Sequence, residues 1–243
     1  MKIQSNYSIS RLFIDKQITF YVEDKTSFIM KVKTIYDFFH DDEWNIAYHF
    51  LIQPVSFYQK QLNPQIDSSF AALKILVFDL GMYKQFSKTT EYIRNTLNDL
   101  FPQMTFNFLD KEILINNLTM TEEIWDYVLY VLKLICGEKV SLPPTFHSEA
   151  EKAFYKAQQE AEERIRKVRE KNQSSDKDGL VKMFLSITYA FPALTFDYLS
   201  HQTMAQIQWL QSYAAGSVSY EVNAKAFAAG NMKKGSKLDF FIK

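Results

Sequence analysis

The chain has 243 residues, which is enough for one large domain or two small ones. Its 28 basic residues equal its 28 acidic residues, so no overall charge attracts it to nucleic acid or to an anionic membrane. Aromatic residues reach 16%, whereas Gly and Pro number only six each, which disfavours a glycine-rich phosphate loop and a turn-dense sandwich. The composition therefore predicts a soluble, helix-rich protein with aromatic cores.

The N-terminal part alternates between strand-like and helix-like segments. Gln17–Val22 and residues 27–32 are rich in β-branched and aromatic residues on either side of a polar turn, which predicts a hairpin. Residues 105–109 and 112–115 predict a second hairpin, and we expect the two hairpins to pair into one small sheet. Between the hairpins, apolar side chains recur at helical spacing in three segments: 34–53, 68–86 and 92–100.

The best-marked helix start lies after the second hairpin. Thr119 is followed three residues later by Glu122, which is the pattern of a capping box. Gly137 supplies the stop at the other end of this helix. Between these points, apolar residues recur three or four residues apart at Ile124, Val128, Leu132 and Ile135.

Residues 149–172 change character, because Ala, Gln, Glu, Lys and Arg dominate them. All five residue types favour helix, so a solvated connecting helix is predicted, with a polar linker at 172–178. The chain after this linker is helical again, and Thr195 is a candidate N-cap. We expect Trp209 to be buried against Phe184 and Ile187, so that Trp209→Ala would cost about 3–5 kcal/mol.

Taken together, these segments predict an α+β protein that is mostly helical. Residues 1–145 form an α+β domain with a small antiparallel sheet made from the two hairpins. Residues 146–177 form the charged connecting helix and linker, and residues 178–243 form an all-α unit with a basic and apolar tail. Strands between 180 and 230, or a helix across 17–32, would contradict this prediction.

The sequence contains few patterns that indicate a catalytic, cofactor or metal site. The single cysteine, Cys136, excludes a disulfide framework and a Cys-rich zinc site, and is interpreted as a small buried hydrophobe at a helix end. His40 and His49 flank the acidic residues 41–43 without the spacing of a metal motif, so a polar patch on an aromatic helix is favoured. His201 lacks an obvious carboxylate partner and is interpreted as a surface histidine. We predict no catalytic residue, no cofactor and no metal site.

The C-terminal part carries an ordered set of weak motifs: Leu180, 189–195 (YAFPALT), 203–210 (TMAQIQWL), Tyr220, Ala224, 229–230 and 238–241 (LDFF). Upstream of them lies INNLTMTEEIW at 115–125, followed by the charged segment. Across about residues 110–243 this pattern resembles the tail assembly chaperones of tailed bacteriophages. The N-terminal hairpin-and-helix region is not covered by the resemblance.

The resemblance implies a non-enzymatic protein that binds the tape-measure protein and keeps it soluble while tail-tube subunits polymerise around it. Such a protein acts in the host cytoplasm and is absent from the mature virion. Its expected partners are the tape-measure and tail-tube proteins, and it could also form a homo-oligomer. We expect it to bind neither nucleic acid nor a membrane. The alternative is a structural subunit of the virion tail tip or baseplate, and an enzyme with a dispersed active site comes third.

The tail provides the candidate partner-binding residues. Three lysines at 233, 234 and 237 precede four apolar side chains: Leu238, Phe240, Phe241 and Ile242. Aromatic anchors can dominate an interface, so one hypothesis is that these four residues contact a partner. The alternative is that they fold back onto the core of the chain itself.

Overall fold

The computed structural model describes residues 3–8, 12, 16–23, 26–82, 86–138, 140 and 179–229. The predicted connecting helix and linker at 146–177 lie outside these residues, and so does the tail after residue 229. The described residues confirm a mostly helical α+β fold with small antiparallel sheets. The division into domains stays a prediction.

The first predicted hairpin is present and belongs to a three-stranded sheet. Strands β1 (Ile3–Ser5), β2 (Gln17–Val22) and β3 (Thr26–Lys31) are antiparallel in that order. The side chains of β2 alternate, so that Ile18, Phe20 and Val22 are buried. Phe20 pairs with Phe28 of β3, and their rings stack with centroids 4.9 Å apart. This sheet therefore presents one aromatic face to the core.

The second predicted hairpin forms a sheet of its own. Strands β4 (Met104–Asn107) and β5 (Glu112–Ile115) are antiparallel, and β6 (Leu118–Thr119) pairs with the other edge of β5. The expectation that both hairpins share one sheet is wrong. Asn116 and Asn117 adopt positive φ angles of 49° and 62°, so the chain reverses at once and β6 pairs with β5, while β1 pairs with β2 in the other sheet.

Along the chain, helices α1 to α5 follow the first sheet and precede the second. Their bounds are α1 Ile35–His40, α2 Asp42–Leu51, α3 Val55–Gln61, α4 Ser69–Lys74 and α5 Ser87–Leu100. A π-helical turn (Ile75–Asp79) and a 3-10 turn (Leu80–Met82) extend α4. The segment predicted as helical from 34 to 53 is interrupted at Asp41, whose N–H donates to Asp37 O while its carboxylate accepts the N–H of Trp44.

Helix α6 (Glu122–Ile135) has the predicted buried face but a different start. All four of its predicted apolar positions are buried, and Gly137 ends it with a φ of +78°. The side chain of Thr121 is the N-cap and accepts the N–H of Ile124. The prediction that Thr119 caps this helix is wrong, because Thr119 lies in β6 and pairs with Leu114.

The N-terminal region has one large core, to which β2 to β5 and α2 to α6 contribute. Its largest side chains are almost fully buried, and they are mostly aromatic: Trp44, Trp125, Tyr58, Phe20, Phe28 and Phe101. Burial of aromatic rings is a major source of stability in a core. The aromatic-rich composition therefore serves packing in this region, as predicted.

Helices are the regular secondary structure of the C-terminal unit across its described residues, as predicted. It consists of α7 (Gly179–Ala190), α8 (Phe196–Ser200) and α9 (Met204–Ala228), which runs straight through Gly216. Thr195 caps α8 by accepting the N–H of Tyr198 at 3.1 Å, which confirms that prediction.

Direct contacts join the C-terminal unit to the N-terminal region. Ile35, at the start of α1, is buried in the C-terminal core, and its N–H donates to Gln202 O at 2.9 Å. At a second point, Gln208 Nε2 of α9 donates to Gly137 O at 3.1 Å. The unit is therefore anchored beside α1 and beside the end of α6.

Candidate functional site

Helix α7 packs its inner face against α9. Phe184 and Ile187 of α7 are buried together with Ile207, Leu210 and Ala214 of α9. These positions recur at helical spacing on both helices, so each helix turns one apolar face towards the other. The predicted packing of α9 against Phe184 and Ile187 is confirmed.

The outer face of α7 exposes three apolar side chains beside Lys182 and Ser186. Val181, Leu185 and Tyr189 lie four residues apart, and their exposed fractions are 51%, 54% and 80%. We call these three residues the outer stripe. The outer stripe is therefore a surface for which folding of the described residues supplies no cover.

Trp209 lies on the surface of α9, and the prediction that it is buried is wrong. Its side chain is 46% exposed. Trp209 is displaced by roughly 200° around the helix from Ile207, whereas Leu210 and Ala214 follow Ile207 at helical spacing into the core. Its indole instead stacks on Tyr213, with centroids 5.7 Å apart.

This stacking continues to the end of α7. The ring of Tyr213 stacks on Phe191 with centroids 5.6 Å apart and planes inclined by 23°. Phe191 follows directly after α7, so the stack links the exposed side of α9 to the helix that carries the outer stripe. Exposed aromatic rings that are fixed by stacking suit a protein-binding surface, because they lose little entropy on binding.

The polar side chains of α7 form hydrogen bonds within the helix. Ser186 Oγ donates to Met183 O at 2.8 Å, and Thr188 Oγ1 donates to Leu185 O at 3.2 Å. Lys182 is the only charged residue between Gly179 and Ala190. A partner can therefore cover this surface without leaving either hydroxyl unsatisfied.

A second group of exposed apolar side chains lies in the N-terminal region, at the tip of the β4–β5 hairpin. Leu109 is almost fully exposed, and Phe108 is exposed beneath the guanidinium of Arg94, which lies 4.7 Å from its ring centroid. Asn107 holds the tip by accepting the N–H of Leu109 at 3.1 Å. The tip is narrow, and it presents one leucine rather than a continuous surface.

The histidines and acidic residues that invited a metal hypothesis have other structural roles. His40 Nδ1 lies 2.8 Å from Tyr36 O, and the rings of His40 and His201 both stack on Tyr36. His201 is exposed as predicted, but it has a carboxylate neighbour, since its Nδ1 lies 3.9 Å from Asp197 Oδ1. Within the described ranges, no group of three or more His, Cys, Asp or Glu side chains could hold a metal ion.

Cys136 is half-buried at the C-cap of α6. Burial raises the pKa of its thiol to about 12, although a hydrogen bond with Tyr48 acts in the opposite direction. The thiol therefore stays protonated near neutral pH, which disfavours a nucleophilic role. Burial also raises the pKa of the Asp126 carboxyl, which accepts a hydrogen bond from the Ser69 hydroxyl.

The predicted partner-binding residues of the tail, Leu238, Phe240, Phe241 and Ile242, lie outside the described residues and stay a prediction. The outer stripe was not predicted from the sequence. Its signal is present, however, because Val181, Leu185 and Tyr189 alternate with the inner residues at their own spacing of four. A helix with two apolar faces could have been recognised from that double pattern.

Comparisons with known proteins add no family to this description. The chain matches no protein-family model, no curated protein and no solved structure. Across the part of the chain that the structure describes, no helix is both long enough and apolar enough to cross a membrane.

Proposed function

We propose that this chain is a non-enzymatic tail assembly chaperone of a tailed bacteriophage, which binds the tape-measure protein or tail-tube subunits in the host cytoplasm. The observation that carries the proposal is the outer stripe, an apolar surface on a helix whose opposite face already fills a core. The largest exposed apolar patch of a protein is often functional, and protein binding is one such function. The resemblance of residues 110–243 is the reason for proposing these partners.

The size of the exposed surface fits a protein that binds and then leaves. Three partly exposed side chains present a patch on the order of a few hundred Å². Stable complexes bury roughly 800 Å² on each partner, so a contact confined to the outer stripe is a weak one. Weak contacts repeated along a long client keep it soluble and still allow tube subunits to replace the chaperone.

Co-expression with the tape-measure protein tests this proposal. We expect the tape-measure protein to stay in the soluble fraction and to co-purify with the tagged chain, whereas it aggregates when expressed without the chain. Mass spectrometry of purified particles should then find no copy of the chain. A tape-measure protein that stays insoluble and uncaptured contradicts the proposal, and a chain retained in the particle indicates the tail-tip or baseplate subunit instead.

A further inference from the structure

We infer that the C-terminal unit, formed by α7 to α9, undocks from α1 as a folded body, and that Ile35 is the side chain that holds it in place. Undocking withdraws Ile35 from the C-terminal core while both cores stay folded. It is a property of the fold and does not depend on the proposed function. The observations that carry it lie at the junction between the first turn of α1 and the turn that joins α8 to α9.

The two cores share one side chain across this junction. Of the residues that the structure describes, none from the C-terminal unit belongs to the buried cluster of the N-terminal region. In the other direction, Ile35 alone enters the C-terminal cluster, where it is 3% exposed and accompanies Ile187, Leu199 and Ile207. Each region therefore has a core built almost entirely from its own residues, and such a region can open as a cooperative unit without unfolding its neighbour.

The backbone of α1 provides a donor that reports on this junction. Thr34 and Asp37 form a capping box, in which the Thr34 N–H donates to Asp37 Oδ2 at 2.7 Å and the Asp37 N–H donates to Thr34 Oγ1 at 3.4 Å. The N–H groups of the first turn have no acceptor within the helix. That of Ile35 donates across the junction to Gln202 O at 2.9 Å. Its exchange with solvent requires the junction to open.

The contacts around this hydrogen bond lie at or near the surface. Lys16 Nζ donates to His201 O at 2.9 Å and to Gln202 Oε1 at 3.2 Å. The exposed ring of His201 stacks on the exposed ring of Tyr36, with centroids 5.0 Å apart. Water competes for exposed polar contacts, so each contributes little net stability. The buried side chain of Ile35 is therefore the main hold at this point.

The second anchor can also open while the helices stay intact. Gln208 Nε2 donates to Gly137 O through an exposed hydrogen bond. The donor is a side-chain amide, so a change of its rotamer releases Gly137 without breaking a backbone hydrogen bond of α9. Rotamer changes of exposed side chains are fast compared with the opening of a folded unit.

Native-state hydrogen exchange of the full chain tests the inference with one amide in each region. The Ile207 N–H donates to Thr203 O within the C-terminal unit. The Met120 N–H donates to Ile113 O within the N-terminal region. After correction for intrinsic rates, we expect the Ile35 N–H to exchange at least roughly a hundredfold faster than these two, because undocking is a smaller opening than unfolding.

Either of two other patterns overturns the inference. Equal rates at Ile35 and Met120 would show that the junction opens only in global unfolding. Equal rates at Ile35 and Ile207, both faster than at Met120, would show that the C-terminal unit unfolds instead of undocking.

Ile35→Ala separates the hold of the side chain from the stability of α1. Exchange of the N–H at position 35 should become about tenfold faster, because the packed side chain is lost while alanine favours helix. The matched control is Ile46→Ala, the same change at a 39% exposed position on α2, which should alter that rate less than about twofold. An unchanged rate in Ile35→Ala would overturn the role of Ile35.

Distances between two spin labels show whether the unit moves as a body. The labels replace Leu109 and Val222, which are 95% and 60% exposed, in a Cys136→Ala background that removes the single native thiol. Ile35→Glu places a charge in the C-terminal core and should broaden the distance distribution while the Ile207 N–H stays protected. A distribution as narrow as that of the parent, or loss of protection at Ile207, contradicts undocking. Should Ile35→Glu prevent folding, Ile35→Ser replaces it with the same expectation.

Discussion

The N-terminal region and the C-terminal unit differ in where their tryptophan side chains lie. In the N-terminal region the largest side chains lie inside, and Trp44 and Trp125 are almost completely buried. In the C-terminal unit Tyr189 and Trp209 lie at the surface. Aromatic content alone therefore does not separate a residue that holds the fold together from one that is available to a partner.

The difference follows from how many elements surround each core. Both sheets and helices α2 to α6 enclose the N-terminal core, so apolar side chains there are covered from several directions. The C-terminal core is built from α7, α8 and α9 with one residue of α1. Two packed helices cover only one face of each other, so any second apolar face remains exposed until a partner covers it.

The largest expected effect tests this comparison with one tryptophan from each region. Trp125→Ala should lower the free energy of unfolding by about 3–5 kcal/mol, because it leaves a large cavity in a closed core. The indole N–H of Trp125 has no hydrogen-bond partner among the described residues, so the loss is one of packing. Urea denaturation followed by circular dichroism measures it.

Trp209→Ala is the matched variant for that measurement. Since Trp209 is 46% exposed, we expect it to lose mainly the stacking contact with Tyr213, which is worth about 0.5–1.5 kcal/mol. Equal losses in the two variants would contradict the contrast between a closed core and an open surface.

Local patterns predicted the elements of this fold better than their assembly. The alternation of apolar residues in Gln17–Val22 and the spacing of Ile124, Val128, Leu132 and Ile135 depend only on neighbours along the chain, and both are confirmed. Whether the two hairpins join one sheet depends on contacts between segments that are far apart along the chain, and the hairpins form separate sheets. The exposure of Trp209 depends on which face of α9 meets α7, and that relation is not local.

An intermediate effect is expected at Gly137, where the two regions meet. Gly137 has a φ of +78°, and a Cβ atom at this position would lie 2.6 Å from Gln208 Nε2 and 2.7 Å from Met204 Cγ. Gly137→Ala should therefore destabilise the protein by about 1–3 kcal/mol through backbone strain, and the side chains of Gln208 and Met204 would have to shift. Thermal denaturation measures the change.

Gly179→Ala is the control for that variant. A Cβ atom at Gly179 meets nothing within 4 Å, and Gly179 is the first residue of α7. Alanine favours helix over glycine, so this variant should be neutral or more stable by up to about 1 kcal/mol. If Gly137→Ala is as stable as Gly179→Ala, neither backbone strain at Gly137 nor the close approach of Gln208 limits the substitution.

The smallest effect distinguishes the two threonines before α6. Thr121 accepts the N–H of Ile124 and has the extended backbone of an N-cap, whereas Thr119 is an exposed residue of β6. The sequence pattern favoured Thr119 because Glu122 follows it at the spacing of a capping box, but the pairing of Thr119 with Leu114 keeps it in the sheet. Thr121→Ala should cost about 1 kcal/mol in urea denaturation, while Thr119→Ala should change stability by less than about 0.5 kcal/mol. A larger loss for Thr119→Ala than for Thr121→Ala would place the start of α6 at Thr119. It would also show that the pairing of β6 does not fix where this helix begins.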